Sequence, residues 1–166
     1  MSKLAHIAGT VFGVGHLRPA PGTWGSLAAL PMALGLHYAG GFPLLLMATA
    51  AVFILGVWAT TDMTEGKDDH DPSEIVIDEV AGQFIAILPL SYPAWAHDID
   101  ITALWPGWIA AFVLFRLFDI TKPGPVGWAD RRNDPVGVML DDVIAGGFAA
   151  VGVLLLAGLA HGVLGL

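Results

Sequence analysis

The chain has 166 residues, of which 55% are hydrophobic and only 13% are charged, and its mean hydropathy is +0.70. An average soluble domain carries about 25% charged residues, so this composition indicates a membrane protein. The net charge of −8 excludes a basic surface for nucleic acid, and the lack of cysteine excludes disulfides, thiolate metal sites and a cysteine nucleophile. The N-terminus has no cleavable signal-peptide pattern, so we expect insertion through internal spans.

Five apolar segments are predicted to be helices. They indicate one all-α domain over residues 1–166, a multi-pass membrane bundle of about four to five helices. The uncharged run at 42–60 would be about 28 Å long as a helix, close to the thickness of the bilayer core. Two segments contain proline and are short for a crossing, which leaves a buried bundle in a soluble protein as the alternative. In chain order the segments are 24–39, 42–60, 80–96, 101–118 and 143–166.

The basic residues follow an alternating pattern between these segments. All seven Lys and Arg lie before the first segment, in the loop at 61–79, or in the stretch at 116–142. The positive-inside rule places these three parts of the chain on the cytoplasmic side. The loop at 61–79 is also acidic, and we expect most of its carboxylates to be solvated. They are Asp62, Glu65, Asp68, Asp69, Asp71 and Glu74.

Acidic side chains adjoin apolar runs at three further places. A carboxylate beside hydrocarbon is costly without a partner, so the three places suggest one shared site built around a divalent cation. Local roles are the alternative for two of them, an internal ion pair of Asp119 with Arg116 and helix capping by an acidic pair before the last segment. The three places are Asp78-Glu79, Asp119 and Asp141-Asp142.

A glycine-containing turn precedes the first apolar segment, at 19–26. Such a turn at the start of a helix exposes backbone N–H groups that can hold a phosphate. Gly22 is the candidate for backbone contact, and Thr23 or Ser26 could add a hydroxyl. A plain turn with a helix cap is the alternative interpretation.

Four motifs along the chain resemble those of the phosphatidylglycerophosphatase A family. They are GVGHLRPAPGTWGSLAALP, IVIDEVAG, FRLFDITKPGP followed by WADR, and GVMLDDVIAG, in the family's order over about residues 9–150. The resemblance implies a Mg²⁺-dependent phosphatase of the bacterial inner membrane that converts phosphatidylglycerophosphate to phosphatidylglycerol. The chain departs from the family at 132–136, where the family often has a glycine pair.

Phosphomonoester chemistry accounts for these residue types, because it requires charge neutralisation and a nucleophile placed in line. We expect Mg²⁺ to be held by Asp78, Glu79, Asp119 and Asp142, with Asp141 and Asp130 as further candidates. We expect Glu79 to deprotonate the attacking water, and Arg116, Lys122 and Arg131 to clamp the phosphate.

The expected partners are phosphatidylglycerophosphate and membrane lipids, with neither nucleic acid nor a protein partner. Two other functions remain open at this point. One is an ion-coupled membrane transporter that uses the same carboxylate cluster. The other is a metal-stabilised membrane subunit without catalytic activity.

Overall fold

The computed structural model describes residues 2–67 and 69–163, with side chains as far as residue 160. Asp68 and the side chain of His161, together with the end of the last predicted segment, lie outside the described residues. Within the described ranges the chain is helical and has no strand, which confirms the all-α prediction. Short 3₁₀ turns occur at Val14–His16 and Ile101–Leu104. The α-helices are α1 (Lys3–Gly9), α2 (Pro21–Thr64), α3 (Ile77–Ala96), α4 (Trp105–Thr121), α5 (Pro125–Asp130) and α6 (Pro135–Val163).

The first two predicted segments form one long element, α2, which breaks at Gly40 and Gly41. Gly41 has a φ of +65°, a conformation that glycine adopts without steric cost. The break lies against Trp95 at the end of α3, whereas Gly25 and Gly56 on its two sides lie against Val76 and Ile77 at the start of α3. The chain therefore turns back at the break, and the two arms of α2, residues 21–39 and 42–64, both run along α3.

Helix α3 is the central helix of the bundle. Twelve of its 20 residues are buried, and it packs against α2, α4 and α6. At Gly82 its backbone contacts Phe115 of α4 and the main-chain oxygen of Asp142 on α6. Three surrounding segments are long and apolar enough to cross a membrane, namely Pro21–Thr64, Ile101–Thr121 and Pro135–Ala160.

Helix α6 begins earlier than the hydropathy pattern predicts. The backbone N–H of Gly137 donates to Asp134 Oδ1 at 2.6 Å, so Asp134 caps this helix. Asp141 and Asp142 lie about two turns inside α6, and both are buried. The capping interpretation of these two residues is therefore wrong, because the turn that needs a cap lies at Pro135.

Candidate active site

A polar cavity of about 260 Å³ opens at one end of the bundle, where α2 and α3 begin and α4 ends. Three charged motifs that are far apart in the sequence meet there, because α3 and α6 start at this end and α4 returns to it. The lining consists of Ala20, Pro21, Gly22, Asp71, Ser73, Ile75, Asp78, Glu79, Arg116, Asp119, Lys122, Asp141 and Asp142.

Three carboxylates at the floor of this cavity form a compact group. One oxygen from each of Asp78, Glu79 and Asp142 lies within 4.8 Å of the other two. Asp78 is 7% exposed and Asp142 only 3% exposed. Among the described residues, neither has a Lys or Arg nitrogen within 4 Å. Buried carboxylates without a cation are costly, and three carboxylate oxygens are suitable ligands for Mg²⁺, so this group fits a divalent ion.

Local structure positions two of these groups. Asp78 and Glu79 lie in the first turn of α3, where the helix dipole favours negative charge. Asp78 Oδ1 accepts a hydrogen bond of 3.0 Å from the backbone N–H of Glu79. The next turn of α3 approaches α6 through Gly82, whose small size brings the Asp142 backbone close to it. Close packing of α3 on α6 therefore assembles the carboxylate group.

Arg116 connects α4 to the carboxylate group. Its Nη1 atom lies 2.6 Å from Asp119 Oδ2 and 3.9 Å from Glu79 Oε1. Asp119 lines the same cavity as Asp142. The predicted pairing of Arg116 with Asp119 on one helix face is present, but the pair belongs to the cavity and is more than an isolated ion pair.

Lys122 follows the last residue of α4 and adopts a left-handed conformation with φ of 45°. Its ammonium group contacts Asp130, and it donates a hydrogen bond of 3.0 Å to Asp141. Burial lowers the pKa of Lys122, but the hydrogen bonds to Asp130 and Asp141 raise this pKa by more than burial lowers it. The net shift of the pKa is therefore upward. Lys122 is therefore a cation, and Asp141 pairs with it instead of joining the group formed by Asp78, Glu79 and Asp142.

The start of α2 forms the opposite wall. Gly22 lies against the Glu79 carboxylate, and a Cβ atom there would collide with it. The Ser26 hydroxyl is buried, donates to the Gly22 carbonyl at 3.0 Å and accepts from Arg116 Nη1 at 3.5 Å. Thr23 does not line the cavity.

A second polar cavity, of about 530 Å³, adjoins the first and shares Asp71 and Asp141 with it. Arg131 lines this second cavity together with Asp130, and does not line the first. Of the three predicted phosphate-binding cations, Arg116 and Lys122 therefore meet in the first cavity, whereas Arg131 lies in the second.

Asp71 was missed in the sequence because it is one of several acidic residues in a loop. It lies at the rim between the two cavities. Asp71 is exposed at this rim, where the charges of Lys122, Asp130 and Asp69 act on its carboxyl. No spacing in the sequence distinguishes Asp71 from its neighbours, since its position depends on how the loop folds over the helix ends.

Comparison with known proteins gives one consistent result. The family model described as phosphatidylglycerophosphatase A matches residues 7–157. The chain is 37% identical to phosphatidylglycerophosphatase A of Haemophilus influenzae, over 88% of this chain and 84% of the relative. It is 33% identical to the Escherichia coli protein of that name, over 90% of this chain and 81% of the relative. A Bacteroides thetaiotaomicron protein provisionally named a phosphatidylinositol-3-phosphatase is 37% identical, over 90% of this chain and 91% of the relative.

No solved structure gives a significant match. The family match covers every motif that lines the first cavity, and the curated relatives align along most of their length. The chain belongs to the phosphatidylglycerophosphatase A family and is a phosphoric monoester hydrolase.

Proposed function

We propose that this enzyme removes the terminal phosphate from phosphatidylglycerophosphate, with Mg²⁺ as cofactor, at the cytoplasmic face of the bacterial inner membrane. The observation that carries the proposal is the first cavity, where buried carboxylates and two cations meet at the ends of apolar helices. Two of the relatives carry this activity in their names. The cytoplasmic orientation is supported by the distribution of Lys and Arg along the chain.

The cavity provides positive groups for a phosphomonoester, which carries nearly two negative charges. Arg116 can donate N–H groups to phosphate oxygens, and its Nε has no acceptor among the described residues. Lys122 supplies a second cation from the end of α4. The first turn of α2, at Gly22, adds the positive end of a helix dipole. These groups would hold the phosphate while the acyl chains stay among the apolar helices.

Asp78, Glu79 and Asp142 are the residues that would hold the metal, with Asp119 beside them. Mg²⁺ bound there supplies charge neutralisation and lowers the pKa of water. Glu79 takes the proton from the attacking water as the water oxygen bonds to phosphorus and the ester P–O bond breaks, and the proton then passes to the departing alkoxide oxygen of the lipid. The Glu79 side chain is only 14% exposed, which suits a carboxylate that acts as a base, because few bulk water molecules compete for it.

Phosphate release in detergent tests the proposal. The substrates are phosphatidylglycerophosphate, phosphatidylinositol 3-phosphate and glycerol 3-phosphate, each with Mg²⁺ or with EDTA. We expect Mg²⁺-dependent release, with phosphatidylglycerophosphate as the best substrate. Glu79→Gln should remain in the membrane and lose at least about 100-fold in kcat. Glu65→Gln, the same change at an exposed residue that follows α2, is the matched control.

Three results would count against the proposal. Near-normal turnover in Glu79→Gln would remove Glu79 from the mechanism. Ion flux into liposomes without any phosphate release would favour the transporter. Chelation that changes thermal stability in a protein inactive on all three substrates would favour a non-catalytic subunit.

A further inference from the structure

A fully buried amide lies one helical turn beyond Glu79. Gln83 on α3 is 0% exposed, and it does not line the cavity. Neither its Nε2 nor its Oε1 atom has a hydrogen-bond partner among the described residues. A buried amide without partners is costly, so native proteins pair such groups, with internal water where the protein offers no partner. Gln83 therefore requires an explanation.

A second unpartnered polar atom belongs to Glu79 itself. Its Oε1 atom faces the cavity, against Gly22 and 3.9 Å from Arg116 Nη1. Its Oε2 atom is buried and has no hydrogen-bond partner in the described part of the chain. One carboxylate therefore has an oxygen directed to the reaction site and another that lacks a hydrogen-bond partner among the described residues.

The two unpartnered groups share one face of α3. Residues four apart on a helix stack on the same side, and long side chains lean back toward the helix N-terminus. Gln83 therefore lies one turn beyond Glu79 on the same side of α3. The stem of Glu79 lies close to α2, since a Cβ atom added at Gly25 would lie 3.4 Å from the Cβ atom of Glu79. No hydrogen bond among the described residues restrains the rotation of the carboxylate through Oε2, and a partner for this atom would restrain it.

We propose that Gln83 holds an internal water against Oε2 of Glu79 and is a positioning residue for this carboxylate. The water accepts a hydrogen bond from the Gln83 amide and donates one to Oε2, which gives it the minimum of two polar partners. Oε1 then stays directed at the cavity. This inference rests on the proposed role of Glu79 in catalysis.

The test compares Gln83→Met with Ile87→Met in the full-length enzyme. Methionine matches glutamine in shape but cannot hold the water. Ile87 is fully buried one turn further along the same face, so its substitution controls for packing. Each variant is assayed for kcat, for KM on phosphatidylglycerophosphate and for the melting temperature in detergent. Gln83→Asn, which keeps the amide and leaves room for added water, is the conservative variant.

We expect Gln83→Met to lower kcat by about 10- to 100-fold, the range for residues that orient a catalytic group, with KM changed less than about threefold. Its melting temperature should fall below that of Ile87→Met, because Oε2 loses its only partner. Gln83→Asn should recover part of kcat. If Gln83 is merely an unpaired amide, Gln83→Met will instead raise the melting temperature and keep wild-type kcat, which overturns the proposal. An equal loss of kcat in Ile87→Met overturns it as well.

The two readouts separate this inference from the proposed function. A wild-type enzyme without Mg²⁺-dependent phosphate release would contradict the proposed function, whereas a raised melting temperature in Gln83→Met would contradict the water bridge whatever the substrate.

Discussion

Substitution of Gly82 by alanine should separate the two helices that assemble the carboxylate group. A Cβ atom at Gly82 would lie 2.6 Å from the main-chain oxygen of Asp142 and 2.7 Å from Cζ of Phe115. Ordinary contact begins near 3.4 Å, so α3 and α6 must move apart by the difference, about 0.8 Å. This movement carries Asp142 away from Asp78 and Glu79. A misplacement of about 1 Å can cost about 100-fold in rate, and overpacking costs about 1–3 kcal/mol of stability.

The assay is phosphate release from phosphatidylglycerophosphate, with the melting temperature measured in the same detergent. We expect Gly82→Ala to lose about 10- to 100-fold in kcat and to melt at a lower temperature. Gly147→Ala is the matched control, since a Cβ atom at Gly147 of α6 meets nothing within 4 Å. That control should keep full activity and gain up to about 1 kcal/mol from helix propensity. Wild-type kcat in Gly82→Ala would refute the argument that close α3–α6 contact sets the geometry of the site.

Three further outcomes follow from the cavity. Arg116→Lys should lower kcat/KM about 10- to 100-fold, because one ammonium group cannot bind both Asp119 and a phosphate. A kcat/KM equal to that of the wild-type enzyme would contradict this. Lys122→Met leaves Asp141 without its cation, so KM for the lipid should rise several-fold and the melting temperature fall; unchanged values in both would contradict it. Saturating Mg²⁺, at about 100 times its Kd, should add about 2.7 kcal/mol to the free energy of unfolding, and EDTA should remove it; differential scanning calorimetry that shows no shift would contradict metal binding.

Much of the helical framework could be predicted from local sequence signals. Long apolar runs give the helices their positions, the Gly40-Gly41 pair marks the reversal of α2, and the proline that follows Lys122 marks the end of α4. Most of the charged residues that meet in the cavity could also be predicted, because charged groups beside apolar helices need partners. Their motifs occur in the order of the family, which the family match confirms.

Other features depend on packing and could not be predicted from local patterns. Hydropathy places the last helix too late, although Asp134 followed by Pro135 is a start signal for a helix. Nothing in the sequence shows that Asp141 pairs with Lys122 while Asp142 turns toward Asp78, since adjacent residues on a helix diverge by about 100°.

The same limit applies to groups outside the charged motifs. The loop that carries Asp71 folds against the ends of several helices, so its contacts are set by the tertiary structure. Gln83 lies in an apolar stretch and becomes notable only once its complete burial is known. In both cases the informative property is the surroundings of the side chain, which no short window of sequence contains.

Anomalous scattering from Mn²⁺ in crystals of the full-length enzyme tests the central claim most directly. Mn²⁺ takes the same oxygen ligands as Mg²⁺ and can be located without reference to activity. The account predicts one strong peak enclosed by carboxylate oxygens of Asp78, Glu79 and Asp142, which is lost in Asp142→Asn. A cavity without a peak at saturating Mn²⁺, or a peak that persists in Asp142→Asn, would contradict it.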